Sequence, residues 1–568
     1  MNTRLVIVLL LMVGRCVAQQ PYGATIPWIT YEAEHMQTNG KIIGPAYDPY
    51  KVETESSGQR AVLLRSKSEF VQFASGMNAN SMVIRYSIPD SKDGKGLEYP
   101  LEIFINGKLI RHCTLTSRYA WLYGKYPFTN NPADGKPRHF YDEIQITNLP
   151  VSKGDVIRIQ PGRSLGDTTA YCIIDLVDLE IITPPLKAPA NSLSVTDNIF
   201  RGKDSSYDYT EAFQKCIAKA IETDKTVWIP AGRYMLTHDI MLPANIRIQG
   251  AGMWYTTLVG NEVLYTHADR RVRLIGNGSN IHIAGFSIAG ELNYRSDQEA
   301  NDGITGSFGT NSTISDIWIE HTKVGMWIEN SSNLTITNCR IRNTMADGIN
   351  FCVGMSHSTI NNCTTRGTGD DGFAIWPAVF KPQQFSPGFN TITHCTAQLP
   401  YLANGAAIYG GEHNAIQNCF FADITQGSAI LISTTFPTSN KSVDNNFSGI
   451  TIIKNCLIKT SGGFDHEWGW RAAVEICLDK RSISGLAIDS VFIDQSLSNA
   501  ISIIAKNADS TAEVLRNAIL ENVHVAGYSI GVKNKRGLFI SDGVHGLLTI
   551  RQSSIPGISG NTELNMAR

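Results

Sequence analysis

The 568-residue chain is poor in charge: only 18% of its residues are charged, with 49 Lys and Arg against 51 Asp and Glu. With no basic excess to neutralise phosphates, nucleic acid is excluded as the expected partner. After the first 18 residues there is no apolar run of about 18 residues, so no stable membrane insertion is expected. The leucine signature of leucine-rich repeats is missing, as is the 40–50-residue period of a propeller. What is present is a 42% apolar content, enough for a large core, and 49 Gly.

The N-terminus reads as a cleaved signal peptide over 1–18. Arg4 gives the positive start, Leu5 to Val13 the short apolar run, and Cys16-Val17-Ala18 the small residues before cleavage. A secreted or periplasmic protein is therefore expected. Eleven cysteines in an exported chain ordinarily suggest disulfides. Here five of them close one recurring phrase: Thr-Asn-Cys339, Asn-Asn-Cys363, Thr-His-Cys395, Gln-Asn-Cys419 and Lys-Asn-Cys456. A residue type repeated at one position of a coil is expected to stack in the core as free thiols; the state of Cys113 and Cys172 is open from sequence.

The second recurring phrase is a small residue before an apolar pair. Gly303, Gly325, Gly348, Gly372, Gly405 and Gly427 follow one another at steps of 22, 23, 24, 33 and 22. β-Alternation at that period, with occasional insertions, predicts an all-β fold built on a parallel β-helix over 207–568. Tyr207 to Thr223, with Phe213, Ile217, Ala220 and Ile221 on one helical face, is the expected cap. Residues 19–186 alternate with shorter turns and read as a β-sandwich, and 187–206 as the linker.

Equivalence of coil positions converts this spacing into geometry. Asp347 and Asp371 occupy the same place in adjacent coils, about 4.8 Å apart per rung, and Asp370 is beside Asp371. Clustered carboxylates repel, so at least one should keep its proton near neutral pH. Glycoside hydrolysis needs that combination: a carboxylic acid for the leaving oxygen and a carboxylate as base or nucleophile. Asp302 lies two coils away in the column. Trp376, Tyr401, Tyr409, Trp468 and Trp470, at phrase ends and insertions, are candidate sugar-stacking walls, with Asp465 and Glu467 beside them and His413 an outward histidine. The bland alternatives are turn chemistry or a cation site for the aspartates and ordinary packing for the rest.

The stretch Ile229-Pro-Ala-Gly-Arg-Tyr with Ile248-Gln-Gly-Ala-Gly resembles the opening of the pectate-lyase-like right-handed β-helices. Trp318-Ile-Glu-His-Thr-Lys-Val-Gly-Met-Trp, Ala346-Asp-Gly-Ile-Asn and Gly369-Asp-Asp-Gly-Phe-Ala-Ile-Trp resemble glycoside hydrolase family 87, the α-1,3-glucanases and mycodextranases. Tyr123-Gly-Lys-Tyr-Pro-Phe and Ile174-Asp-Leu-Val-Asp-Leu-Glu resemble the galactose-binding-like jelly roll that precedes its catalytic domain. The resemblance implies an inverting, endo-acting α-glucan hydrolase, with Asp370 as general acid and Asp347 and Asp371 holding the attacking water. Inversion ordinarily sets acid and base about 6.5–9.5 Å apart. Some relatives carry a further aspartate where this chain has Asn404. No cofactor is implied for catalysis. Tyr31-Glu-Ala-Glu resembles the first strand of carbohydrate-binding modules, which implies a structural calcium on Glu32, Glu34 and Asp178. A monomer acting on a polysaccharide is expected. The competing classes are a lyase or polygalacturonase-like enzyme on an acidic polysaccharide, with Arg342 or Arg366 as its base, and a noncatalytic glycan-binding solenoid.

Overall fold

The computed structural model describes residues 22–126, 128–162, 170–201, 208–260, 272–436, 446–479, 481–506, 514–560 and 564–567. The expected signal peptide lies outside these residues, as does Tyr207 at the start of the expected cap.

Alternation of apolar and polar residues builds the first domain from two antiparallel sheets. One runs Lys41–Ile43, Ala61–Leu64, Cys172–Glu180, Ala79–Ser87, Asp142–Val151, with Trp28–Glu32 also paired to Cys172–Glu180. The other runs Gln37–Thr38, Val71–Ala74, Val156–Pro161, Glu98–Ile105, Lys108–Thr116. Leu64, Ile84, Leu101, Ile103, Ile159 and Val177 from the facing sides fill the space between them.

The second domain is the parallel β-helix, right-handed as parallel crossovers require. Its rungs align in columns: Ile336, Ile360, Ile392, Ile416 and Ile453 in one, and Phe351, Ile375, Ile408, Ile432 and Ile476 in another. The Asn-Cys phrase is the corner between two of its faces. Asn338, Asn362, His394, Asn418 and Asn455 take left-handed φ values of 56°, 52°, 49°, 55° and 52°, a conformation Asn tolerates best among residues with a side chain. Their amides bond along the stack, Asn362 to Asn338 at 2.8 Å and Asn455 to Asn418 at 2.7 Å. The following cysteines turn inward, are fully buried, and are free thiols. Cys113 and Cys172 are free as well.

Helix Thr210–Thr223 caps the open end with Phe213, Cys216, Ile217 and Ala220. Ile221, expected on that face, is 39% exposed instead. The expected linker is partly structured: Ser192–Ser194 pairs in parallel with Thr226–Ile229 and so starts the β-helix inside it.

The sandwich lies against the flank of the solenoid through buried charge. Arg366 bonds Glu143 at 2.5 Å and Asp178 at 2.8 Å, Arg340 grips Glu180 with two bonds of 2.8 Å, and His321 meets Asp142 at 2.9 Å. Tyr401 belongs to this seam and not to a sugar-binding wall. It is buried, stacked on His139 of the sandwich at 4.1 Å, and its hydroxyl donates to the Thr344 carbonyl.

Candidate active site

Asp347 and Asp371 each end a corner just before a strand, Ile349–Phe351 and Phe373–Ile375. The glycine after each aspartate is needed because the coils approach so closely. A Cβ on Gly348 would stand 2.3 Å from the Gly372 carbonyl, and one on Gly372 2.7 Å from that of Gly405. The Gly348 amide bonds the Asp371 carbonyl at 2.9 Å and the Gly372 amide that of Asn404 at 2.8 Å, which fixes the aspartates one above the other.

One oxygen from each of Asp347, Asp370 and Asp371 lies within 4.8 Å of the other two. Asp347 accepts from the Asp371 amide at 3.1 Å and from Asn350 at 2.7 Å. Asp371 accepts from the Asn404 side chain at 2.8 Å and from the Tyr409 hydroxyl at 2.7 Å. Asp370, the most exposed of the three, accepts from its neighbour's amide at 3.1 Å and from Arg295 at 2.8 Å. Burial, reinforced by Asp370, pushes the Asp371 carboxyl up to about 7, against the lowering effect of Tyr409 and Asn404. Burial and then the charges of Asp370 and Asp371 hold the Asp347 carboxyl well above the ordinary range. The sequence-based expectation of a retained proton near neutral pH is met on this buried pair.

The triad sits in the floor of a cleft of about 620 Å³. Trp376, Tyr409, Asp465, Glu467 and Trp468 line it, as expected from sequence. Asp465 also caps its own hairpin, accepting from the amides of Glu467 and Trp468 at 2.8 and 3.0 Å. The ring of Trp468 is covered by cations, with Lys506 at 2.8 Å and Arg471 at 4.8 Å from its centroid.

Other expectations are corrected. Asp302 keeps its column but is buried behind Lys323, 3.6 Å away, and does not line the cleft; Lys323 does. Trp470 packs edge-on against Phe464 and faces a neighbouring hollow of about 570 Å³ on the far side of the hairpin. His413 stands in a different corner, at φ 50°, stacked on Phe389 and accepting from the Ile450 amide at 3.2 Å. Arg342 and Arg366, the bases a lyase would need, are buried in the seam between the domains against Glu143 and Asp178. The calcium trio does not assemble: Asp178 is taken by Arg366 and by Thr30, whose hydroxyl donates to it at 2.6 Å. Glu32 and Glu34 face Asp175, and each keeps one buried oxygen without a hydrogen-bond partner. Burial, then Asp175, pushes Glu32 up to about 8.

Sequence reasoning missed Arg295, Asp297, Lys323 and Tyr126, all of which line the cleft. Tyr126 comes from the sandwich, reaching over the solenoid so that its ring lies 5.1 Å from the Arg295 guanidinium. None of the four stands at one of the repeated positions singled out in the sequence. Only the resemblance of the Tyr123–Phe128 stretch marked the segment carrying Tyr126.

Comparison with known proteins follows the same two-part division. A search of curated proteins returned no match. The family model for α-1,3-glucanase catalytic domain D1 matches residues 25–182 and that for domain D2 residues 205–536. Among solved structures, the Agl-KA catalytic domain aligns over 98% of this chain and 100% of its own, at 25% identity and a TM-score of 0.80. The catalytic unit of a thermostable GH87 α-1,3-glucanase from Streptomyces thermodiastaticus strain HF3-3 aligns over 96% of each chain, at 26% identity and a TM-score of 0.79. A GH87 α-1,3-glucanase catalytic domain in complex with nigerose aligns over 96% of this chain and 99% of its own, at 25% identity and a TM-score of 0.79. Variants of a GH87 catalytic domain with single aspartate-to-alanine changes, bound to nigerose or tetrasaccharides, also match, and their replaced aspartates stand 23 and then 1 position apart. The chain belongs to glycoside hydrolase family 87, the α-1,3-glucanases, and is a glycoside hydrolase.

Proposed function

We propose that the protein is a secreted, endo-acting hydrolase of α-1,3-glucosidic bonds, in α-1,3-glucan or mixed α-1,3/α-1,4 chains, working by inversion. The observation that carries this is the set of three aspartate oxygens within 4.8 Å at the base of an open cleft. Asp347, Asp370 and Asp371 also have the 23-and-1 spacing of the aspartates replaced in the GH87 domains that hold nigerose and tetrasaccharides.

Asp370, the most exposed of the three, protonates the leaving glycosidic oxygen. Asp347 and Asp371 hold the attacking water from behind. Two hydrogen bonds of about 2.7–2.8 Å bent at one water span about 4.5–5 Å, which suits that pair. As water attacks C1, its proton passes to the buried pair while the bond to the leaving oxygen breaks and that oxygen takes the Asp370 proton. Asp371, pushed up to about 7, is the member of the pair whose base form is available to take the water's proton.

A second reading has one specific observation behind it. Inverting enzymes usually separate acid and base by about 6.5–9.5 Å, retaining ones by about 5–5.5 Å, so the close triad favours retention through a glycosyl ester. The configuration of the first-formed product separates the two.

The mature chain is proposed to act as a monomer, with no metal in the chemical step. No helix among the described residues is long and apolar enough to cross a membrane. A structural calcium is proposed on the unpartnered oxygens of Glu32 and Glu34 without Asp178; chelation would then lower the melting temperature and leave initial rates unchanged.

The functional test is release of reducing ends from α-1,3-glucan, nigeran, dextran and polygalacturonate, with Asp370→Asn beside the wild type. Release from the α-1,3-containing glucans, lost in the variant, is expected. Release from polygalacturonate alone, or binding without product, would overturn the proposal.

A further inference from the structure

Arg295 enters the site from a segment outside the Asp-Gly corners, yet it bonds both Gly369 and Asp370 of the catalytic corner. Its side chain is 6% exposed. Nε meets Asp297 at 3.1 Å, Nη1 donates to the Gly369 carbonyl at 2.7 Å, and Nη2 to Asp370 Oδ2 at 2.8 Å. The Tyr126 ring of the sandwich covers the guanidinium. An arginine serving only its own loop would be satisfied by Asp297. This one reaches past Asp297, its two terminal nitrogens split between the carbonyl before Asp370 and one oxygen of the carboxylate itself. The other Asp370 oxygen is held by the Asp371 amide, so contacts on both oxygens set the plane of the carboxyl. Each oxygen retains a second lone-pair direction in which a proton can be carried toward the cleft.

We propose that Arg295 is the positioning residue for the general acid, braced by Asp297 and by Tyr126 of the sandwich, and acting on the reaction only through Asp370. This rests on the reading of Asp370 as the acid, and it gives the sandwich a part in catalysis instead of in glycan capture alone.

The test uses leaving groups. Fluoride leaves C1 without being protonated, the attacking water still gives its proton to the buried pair, and the acid is not needed. Hydrolysis of α-1,3-glucan and of an α-1,3-linked nigerotriosyl fluoride would be compared in the full chain. Arg295→Gln is expected to lower kcat on the glucan about 100-fold while KM and the rate on the fluoride stay within about threefold. Arg295→Lys should recover part of the loss. Asp297→Asn, which only loosens the brace, should lower the glucan rate about 3–10-fold with the fluoride spared. Asp370→Asn is the reference and should show the same selectivity as Arg295→Gln. Equal losses on both substrates in Arg295→Gln and Asp297→Asn, with the fluoride spared in Asp370→Asn, would overturn the role of Arg295 alone. Loss of fluoride hydrolysis in Asp370→Asn would overturn the acid assignment and this proposal together.

Discussion

Two clusters of buried carboxylates, one on the sandwich where it meets the solenoid and one on the solenoid in the cleft, behave in opposite ways. In the seam between the domains, burial alone would raise Asp142 and Glu143, but His321 and the pair Arg366 and Arg342 outweigh it and hold both below their ordinary values. In the cleft, burial raises Asp347 and Asp371 and the neighbouring carboxylates raise them further. The chemical groups are alike; the sign of the partner differs. Cations turn a buried acid into a fastener, whereas other acids turn it into a reservoir for protons. The buried pair Asp347 and Asp371 thus differs from Asp142 and Glu143 in lacking a direct counter-charge, and Arg295 on Asp370 is the one direct ion pair of the triad among the described residues.

The largest effect that would break this comparison is kinetic. Asp370→Asn should cost about 10²–10⁴ in kcat with little change in melting temperature, measured by initial rates and calorimetry. Asp347→Asn should be as inactive yet melt no lower than wild type, since a neutral amide replaces a carboxyl whose ionisation burial and two like neighbours oppose. A fall in stability as large as that of a seam variant would contradict the distinction.

Next in size is the seam itself. Glu143→Gln leaves Arg366 and Arg342 short of a counter-charge and should destabilise the chain by about 3–5 kcal/mol in denaturant titrations. Activity per folded molecule should stay near that of the wild type.

A sharper, smaller test concerns Asp371. Its base form is the active one, so kcat/KM should rise with pH toward about 7. Tyr409 stabilises that ionised form, so Tyr409→Phe should move the acidic limb to higher pH by about one unit. No movement would place the limb on another group.

The smallest effect is in the pH dependence of stability. Burial would lower His321, but Asp142 and Glu320 outweigh it and raise the imidazole to about 9. A raised folded value means its contribution is complete below about 6.5 and is lost as pH climbs through 9. Glu320, pushed to about 7 chiefly by burial, loses its contribution to stability in the lower window, from about 4.5 to 7. The melting temperature should therefore decline from neutral to alkaline pH, and less steeply in His321→Gln.

Much of this was legible from spacing. A period of 22–24 residues gave the β-helix, because stacked rungs repeat the same demand on each residue: Ile inward, Asn or His at the left-handed corner, Gly where coils touch. The aspartates were legible for the same reason. His413 misled because His357, Phe389 and His413 form a corner stack, with centroids 4.8 and 5.2 Å apart, and a corner histidine looks outward from sequence alone. Tyr401 sits near an insertion like the cleft aromatics, and only the docked sandwich turns it into packing. Arg295 and Tyr126 belong to segments folded onto the solenoid from outside the repeat, so no period points to them. Asp178 pairs with an arginine from the other domain, a contact that a motif within the sandwich has no means of encoding.

The most direct test of the three-aspartate mechanism is proton NMR of the first product formed from a soluble α-1,3-oligoglucan. Single displacement by a water held on Asp347 and Asp371 predicts that the new reducing end appears first as the β anomer and then mutarotates. First appearance of the α anomer would contradict it and assign one of the aspartates as a nucleophile.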